Sequence, residues 1–287
     1  MITKTEAVVL KSMNYRDSSK IVTFYTRRFG KVKCIAKGAR QMKSKFGAGL
    51  EPITSVSLVL YKKEHRELHL VSQCDAIKTY KSIHSELERM AVALSVLELV
   101  NQLVHEEEGN DALYLLLVGT LDEIEGAKRN FVNLFFAFEI RCASLFGFSP
   151  GLGACSVCGR SLDDIGLDGM AVFQLSKGSV LCGRCVASAS APKDDPLRVR
   201  KTALEASTRP HSEEGNVRVS IGTLKALQRL LTARLDSVSS LELTSAAGNE
   251  IDGTLRLYMR QHFEDLKPIK SLDILKKFSV AKPEIDA

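Results

Sequence analysis

The chain has 287 residues, 45 % of them hydrophobic and 26 % charged, the ordinary balance of a globular protein with room for two or three domains. No apolar run reaches the ~18–20 residues of a membrane span. The first twelve residues carry neither an apolar core nor a small-residue cleavage site, so no signal peptide is expected. Seven cysteines, an odd number, argue against a disulfide framework, and a reduced, cytoplasmic protein is expected. The net charge of +6 conceals an asymmetry. Residues 1–80 hold 16 Lys and Arg against 6 Asp and Glu, and the rest of the chain holds 24 against 28. A polyanion footprint therefore belongs to the N-terminal third.

Residues 1–80 read as five short strands. Ala7–Leu10 is a compact apolar run, and Lys20–Arg27 is rich in β-branched and aromatic residues. Lys31–Lys37 follows a turn at Gly30, Ser55–Tyr61 alternates with period two, and Glu67–Cys74 alternates again after a polar turn at Lys62–Arg66. Five strands in about 80 residues fit a small closed barrel of the oligonucleotide-binding type. The segment Thr26–Gly47 carries Arg27, Arg28, Lys31, Lys33, Lys37, Arg40, Lys43 and Lys45 and no acid. A single-sign surface of that size repels itself unless a polyanion covers it, and a phosphate backbone is the natural cover. With Arg16 and Lys20 these make ten candidate DNA contacts. Tyr15, Phe24, Tyr25 and Phe46 are candidate stacking platforms, with barrel core the expected fate of Phe24.

After Tyr80 the hydrophobic period becomes helical. Helices are expected over Ile83–Val104, from an Asn110-Asp111 cap to about Leu121, and over Phe131–Phe148, whose aromatic stripe reads as core. Two CxxC pairs follow, Cys155/Cys158 and Cys182/Cys185. Two such knuckles supply a tetrahedral four-thiolate set, which leaves no open position, so one structural zinc ion per chain is expected. Residues 151–190 then form a zinc ribbon inserted between helical segments 81–150 and 191–287. Turns at Asp168-Gly169 and Lys177-Gly178 punctuate the ribbon. Ala187–Pro196 reads as a linker, and helices are expected at Leu197–Ala206, Ser220–Leu235 and Gly248–Glu264, before a short SLDIL element and a polar tail. Cys34, Cys74 and Cys142 sit singly on apolar faces and read as packed thiols.

The expected fold class is thus α+β and multidomain: an N-terminal five-stranded oligonucleotide-binding barrel, then a helical domain with an inserted four-cysteine ribbon. No nucleotide-binding glycine loop is present, and His105-Glu106 lacks the second histidine of a metalloprotease motif. The acids of residues 1–80 have no nuclease-like spacing, so no enzyme is expected. From composition alone, a zinc-ribbon RNA-binding or ribosome-associated factor fits the charge pattern as well as a DNA-binding protein does.

The opening TEAVVLKSMNYRDSSKIVTFYTRRFGKVKCIAKGAR with Lys43-Ser44, the stretch FEIRCASLFGFSP before CSVC and CGRC, and the late YMRQHFEDLKPIKSLDIL carry a further signal. Through them the whole chain resembles the bacterial recombination mediator family RecO. That resemblance implies binding of single- and double-stranded DNA, annealing of complementary strands and a nucleoid-associated role in DNA repair and recombination. It implies a complex with RecR that loads RecA onto DNA coated by single-stranded-DNA-binding protein, without ATP hydrolysis by this subunit. It also implies a groove in the helical domain for that protein's acidic, apolar C-terminal tail, with Lys128, Arg129 and Arg141 as candidate cations.

Overall fold

A computed structural model describes residues 2–62, 68–106, 108–165, 169–190 and 215–273. The expected turn at Lys62–Arg66, the helix at Leu197–Ala206, most of the linker and the polar tail lie largely or wholly outside those residues. The chain divides into two compact units. One comprises residues 1–145, 233–242 and 265–287; the other comprises 146–232 and 243–264.

The first unit opens with the barrel. Its strands are β1 (Ile2–Tyr15), β2 (Ser19–Thr26), β3 (Gly30–Ala36), β4 (Ser55–Tyr61) and β5 (Leu68–Lys78). They close in the order β1-β2-β3-β5-β4. The strand β1 is longer than the expected Ala7–Leu10 because its two ends serve different partners. Ile2–Val8 pairs with β4, and Ala7–Tyr15 pairs with β2 past an irregularity between Val9 and Lys11. Closure comes from a short parallel pairing of Lys33–Ile35 with Leu68–Leu70. The alternating inward residues Ala7, Val9, Val22, Phe24, Val32, Cys34, Leu58 and Cys74 fill the interior. A 3-10 turn at Gly47–Leu50 adds Phe46 and Leu50 to that core.

Behind the barrel lie α1 (Lys81–Ser85), α2 (Leu87–Leu103), α3 (Asp111–Gly126) and α4 (Phe131–Leu145). The single helix expected from Ile83 is interrupted at Glu86, whose extended backbone (φ −129°) ends α1 and caps α2. The Asn110 cap forms as expected, its side chain accepting from the Leu113 N–H at 3.0 Å. Phe131, Leu134, Phe135, Phe138 and Cys142 are buried, so the aromatic stripe is core, and α4 packs against both α2 and α3. The helix stops at Leu145, short of the expected Phe148. A later return of the chain, with α7 (Leu235–Val238), is pinned here. The Asn130 side chain donates to the carbonyls of Ser239 and Leu241, both at 3.1 Å, and that of Asn133 donates to Leu241 at 2.8 Å.

The second unit is a four-stranded sheet in the order β6-β8-β7-β9: β6 (Gly151–Cys155), β7 (Met170–Gln174), β8 (Ser179–Cys182) and β9 (Asn216–Ser220). It also holds α5 (Gly183–Ser190), α6 (Ile221–Thr232) and α8 (Ser245–His262). The fourth strand differs from expectation. Residues 216–220 pair in register with β7, and only Ile221–Thr232 of the helix expected over Ser220–Leu235 is continuous. The alternation of Val217 and Val219 is the sequence signal for it, masked by the leucine-rich helix that follows. The expected ribbon limits of 151–190 therefore enclose three of the four strands.

Candidate nucleic-acid interface and metal centre

The ten candidate cations separate into groups once their partners are traced. On the outer face of β2 and β3, Tyr25 stands opposite Lys31, and Thr23 opposite Lys33. That face carries oligonucleotides in many barrels of this type. Here residues 101–106 and 108–111 of the helical body cover it. Lys33 is ion-paired with Glu106. The Lys31 ammonium donates to the Asn101 carbonyl at 2.8 Å; its pKa is lowered by desolvation, with Glu106 pulling the other way. Arg27 bonds to Asp111 at 2.5 Å and to Glu6 at 3.2 Å. The buried Tyr25 hydroxyl donates to the Asn110 carbonyl at 3.3 Å, and burial pushes its pKa up to about 12.

Two glycines permit the contact. Gly30 has φ +63°, and a Cβ there would lie 2.0 Å from the Glu108 carbonyl oxygen. A Cβ on Gly109 would lie 2.8 Å from the Arg28 carbonyl oxygen. Backbones approach this closely only where both side chains are absent.

A second group lies around the β1–β2 turn and the loop of residues 37–46. Arg16, Lys37, Arg40, Lys43 and Lys45 are exposed and have no carboxylate partner among the described residues. The loop is held against the turn: the Arg40 N–H donates to the Ser18 carbonyl and its guanidinium to the Arg16 carbonyl, each at 3.0 Å. Lys45 donates to the Ser72 carbonyl at 2.6 Å. Lys20, at the rim of this group, is ion-paired with Glu51 at 2.6 Å. Arg28 lies apart, over the Phe29 ring at 5.3 Å, with Lys62 at 5.0 Å from the same ring. Of the four aromatic candidates, Phe24, Tyr25 and Phe46 are buried, and Tyr15 alone is part-exposed, under the Arg16 guanidinium.

Of the cations suggested for a peptide tail, Arg129 pairs with Glu242 at 3.2 Å. Arg141 is partly buried and donates to the Ala233 carbonyl at 2.6 Å. Lys128 is exposed.

In the second unit the four knuckle cysteines converge, their sulfurs all within 4.8 Å of one another. Cys158 Sγ and Cys182 Sγ are 3.7 Å apart. A tetrahedral four-thiolate zinc site requires sulfurs about 3.8 Å apart, so these side chains fit that ion. The fold prepares thiolates here. Burial alone would raise Cys155, but N–H groups of Cys158, Cys182 and Val157 aim at its sulfur and bring its pKa down to about 6. The Cys185 thiol, beside the sulfurs of Cys182 and Cys158, is pushed up to about 12. Four sulfurs this close cannot all ionise without a cation among them. The other three cysteines are buried singly, and burial holds Cys34 and Cys74 at about 12.

A closed five-stranded barrel of the oligonucleotide-binding type, joined to a helical body and a four-cysteine ribbon, defines a class of nucleic-acid-associated proteins. Comparison with known proteins narrows it. The family model "Recombination protein O N terminal" matches residues 1–80, and "Recombination protein O C terminal" matches 84–192 and 179–273. The chain is 32 % identical over 276 residues to the "DNA repair protein RecO" of Chloroherpeton thalassium, covering 96 % of this chain and 98 % of that protein. It is 32 % identical over 271 residues to the protein of that name from Pelotomaculum thermopropionicum, covering 94 % and 93 %. Against the one from Salinibacter ruber it is 28 % identical over 282 residues. The chain belongs to the RecO family.

Proposed function

We propose that this protein acts in DNA repair and recombination as a binding and annealing factor without catalysis of its own. It binds single- and double-stranded DNA through the barrel and brings complementary strands together. With RecR it helps load RecA onto single strands coated by single-stranded-DNA-binding protein. The observation that carries this reading is the group of five exposed cations without carboxylate partners, Arg16, Lys37, Arg40, Lys43 and Lys45, on two loops bonded to each other. Such a surface neutralises phosphates and leaves base edges free to pair. Arg27, Lys31 and Lys33, expected to share that work, are engaged within the chain, and we assign them to holding the barrel on the helical body. The zinc ion we propose at Cys155, Cys158, Cys182 and Cys185 is structural, cross-linking β6, β8 and α5.

The test is annealing of complementary oligonucleotides pre-coated with single-stranded-DNA-binding protein. The wild-type chain should accelerate annealing, and a variant with Arg16, Lys37, Arg40 and Lys43 changed to Glu should not. Equal acceleration by a folded variant of that kind overturns the assignment.

A further inference from the structure

The outer face of the ribbon sheet is only partly covered. Cross-strand pairing places Met170, Val172 and Gln174 on one face with Ser220, Arg218 and Asn216. The helix α5 packs over β7 and β8 on the same unit and leaves a cleft of about 410 Å³, lined by Met170, Ala171, Val172, Val186, Ala187 and Arg218, with Gly183 at its edge. Three features of the cleft point to one kind of occupant.

Its walls are aliphatic, with no aromatic side chain and no carboxylate. Apolar walls of this kind favour burial of an aliphatic side chain. Met170 is 51 % exposed, and a flexible thioether adapts to such a guest. Second, Arg218 is the one cation on the lining, and it is exposed, with no ion pair or hydrogen bond from its side chain among the described residues. The carboxylate bonded two residues away is already committed: Glu250 accepts from Ser220 N–H and Oγ and from Thr223 Oγ1, at 2.9, 2.7 and 2.5 Å. Third, β9 is the terminal strand of its sheet, so its outer backbone edge has no strand neighbour among the described residues. Its Ser220 N–H is taken by the Glu250 carboxylate, but over Asn216–Arg218 it is an edge strand beside a side-chain cleft, the arrangement by which sheets accept an added strand.

We propose that this cleft is a docking site for an extended segment of a partner protein that carries an aliphatic side chain next to a carboxylate. The aliphatic group enters between α5 and β7, the carboxylate meets Arg218, and the segment's backbone lies along β9.

The probe is a set of blocked tetrapeptides titrated into the zinc-loaded, isotope-labelled full chain: acetyl-Asp-Leu-Leu-Asp-amide, acetyl-Lys-Leu-Leu-Lys-amide and acetyl-Asp-Ser-Ser-Asp-amide. Only the first should produce saturable shifts at the amides of Val172, Val186 and Arg218. Arg218→Glu should weaken that binding on the order of tenfold to a hundredfold, the range spanned by charge-assisted pairs, and Arg218→Lys should retain part of it. The exposed position of residue 218 keeps both variants folded, which an unchanged amide spectrum elsewhere verifies. No shift at these amides with any peptide, equal shifts with the lysine or serine peptide, or the same shifts produced by oligo-dT would each overturn the proposal. The last outcome would reassign the cleft to nucleic acid.

Discussion

Lys33 and Lys37 lie four residues apart, and only their partners distinguish them. Lys33 is neutralised by Glu106, whereas Lys37 is exposed without a carboxylate partner among the described residues. Lys33→Gln should therefore change affinity for a single-stranded oligonucleotide by less than about twofold, and Lys37→Gln should lower the salt slope by about 0.7. If all five cations of the loop group contact phosphates, the wild-type slope of log K against log salt should be roughly −3.5 for single strands. Fluorescence anisotropy across a salt series reads both, and a larger loss from the Lys33 change than from the Lys37 change would contradict the partition. A carboxylate supplies a second residue-scale expectation. Glu125 accepts from the N–H groups of Ser82 and Ile83, at 3.0 and 2.9 Å, and so caps α1 from another helix. Burial opposes its ionisation, but these bonds outweigh burial and hold its pKa below the usual value. A carboxylate depressed by folding stabilises above its unfolded pKa, ~4.3, and loses that contribution as pH falls through the lower folded value. Glu125→Ala should cost about 1 kcal/mol at neutral pH and flatten the acid limb of the stability profile, measured by urea unfolding.

At the scale of elements, the junction of the barrel with residues 101–106 and 108–111 is decided by backbone approach. Gly30 ends the β2–β3 turn and meets the Glu108 backbone. Gly30→Ala adds a side chain both at a positive φ and into that backbone, and should destabilise the first unit by about 2 kcal/mol or more. A thermal melt that leaves the midpoint unchanged would show that the junction yields easily. The ribbon has its own dependence. Its strands are short, and the cysteines join β6, β8 and α5. Metal analysis of the reduced wild-type chain should give a single equivalent of zinc, and Cys155→Ser should abolish it. Chelation should likewise lower the unfolding temperature of the second unit.

For the whole molecule, these dependences are separable. The proposed DNA contacts lie in the first unit and the four cysteines proposed to hold zinc in the second. Stripping zinc should leave the affinity for single-stranded DNA within about twofold while the ribbon loses its fold, as read by anisotropy alongside circular dichroism. Loss of DNA binding together with the metal would place part of the nucleic-acid surface on the ribbon. No helix among the described residues is long and apolar enough to cross a membrane.

Much of this was legible in local pattern. Period-two runs marked three of the five barrel strands, an apolar run and a β-branched and aromatic run marked the other two, Asn110 marked its helix start, and the two CxxC pairs marked four sulfurs that do converge. Each of these rests on residues within a few positions of one another, where geometry follows directly from spacing. What the linear chain could not reveal depends on distant partners. A run of eight cations looks uniform in sequence, yet two carboxylates and a carbonyl some seventy to eighty-five residues further on engage Arg27, Lys31 and Lys33, while the loop group has no carboxylate partner among the described residues. The strand β9 likewise became a strand by pairing with β7, more than forty residues upstream. Charge is a property of a residue, but its availability is a property of what folding brings against it, and only the tertiary structure decided that.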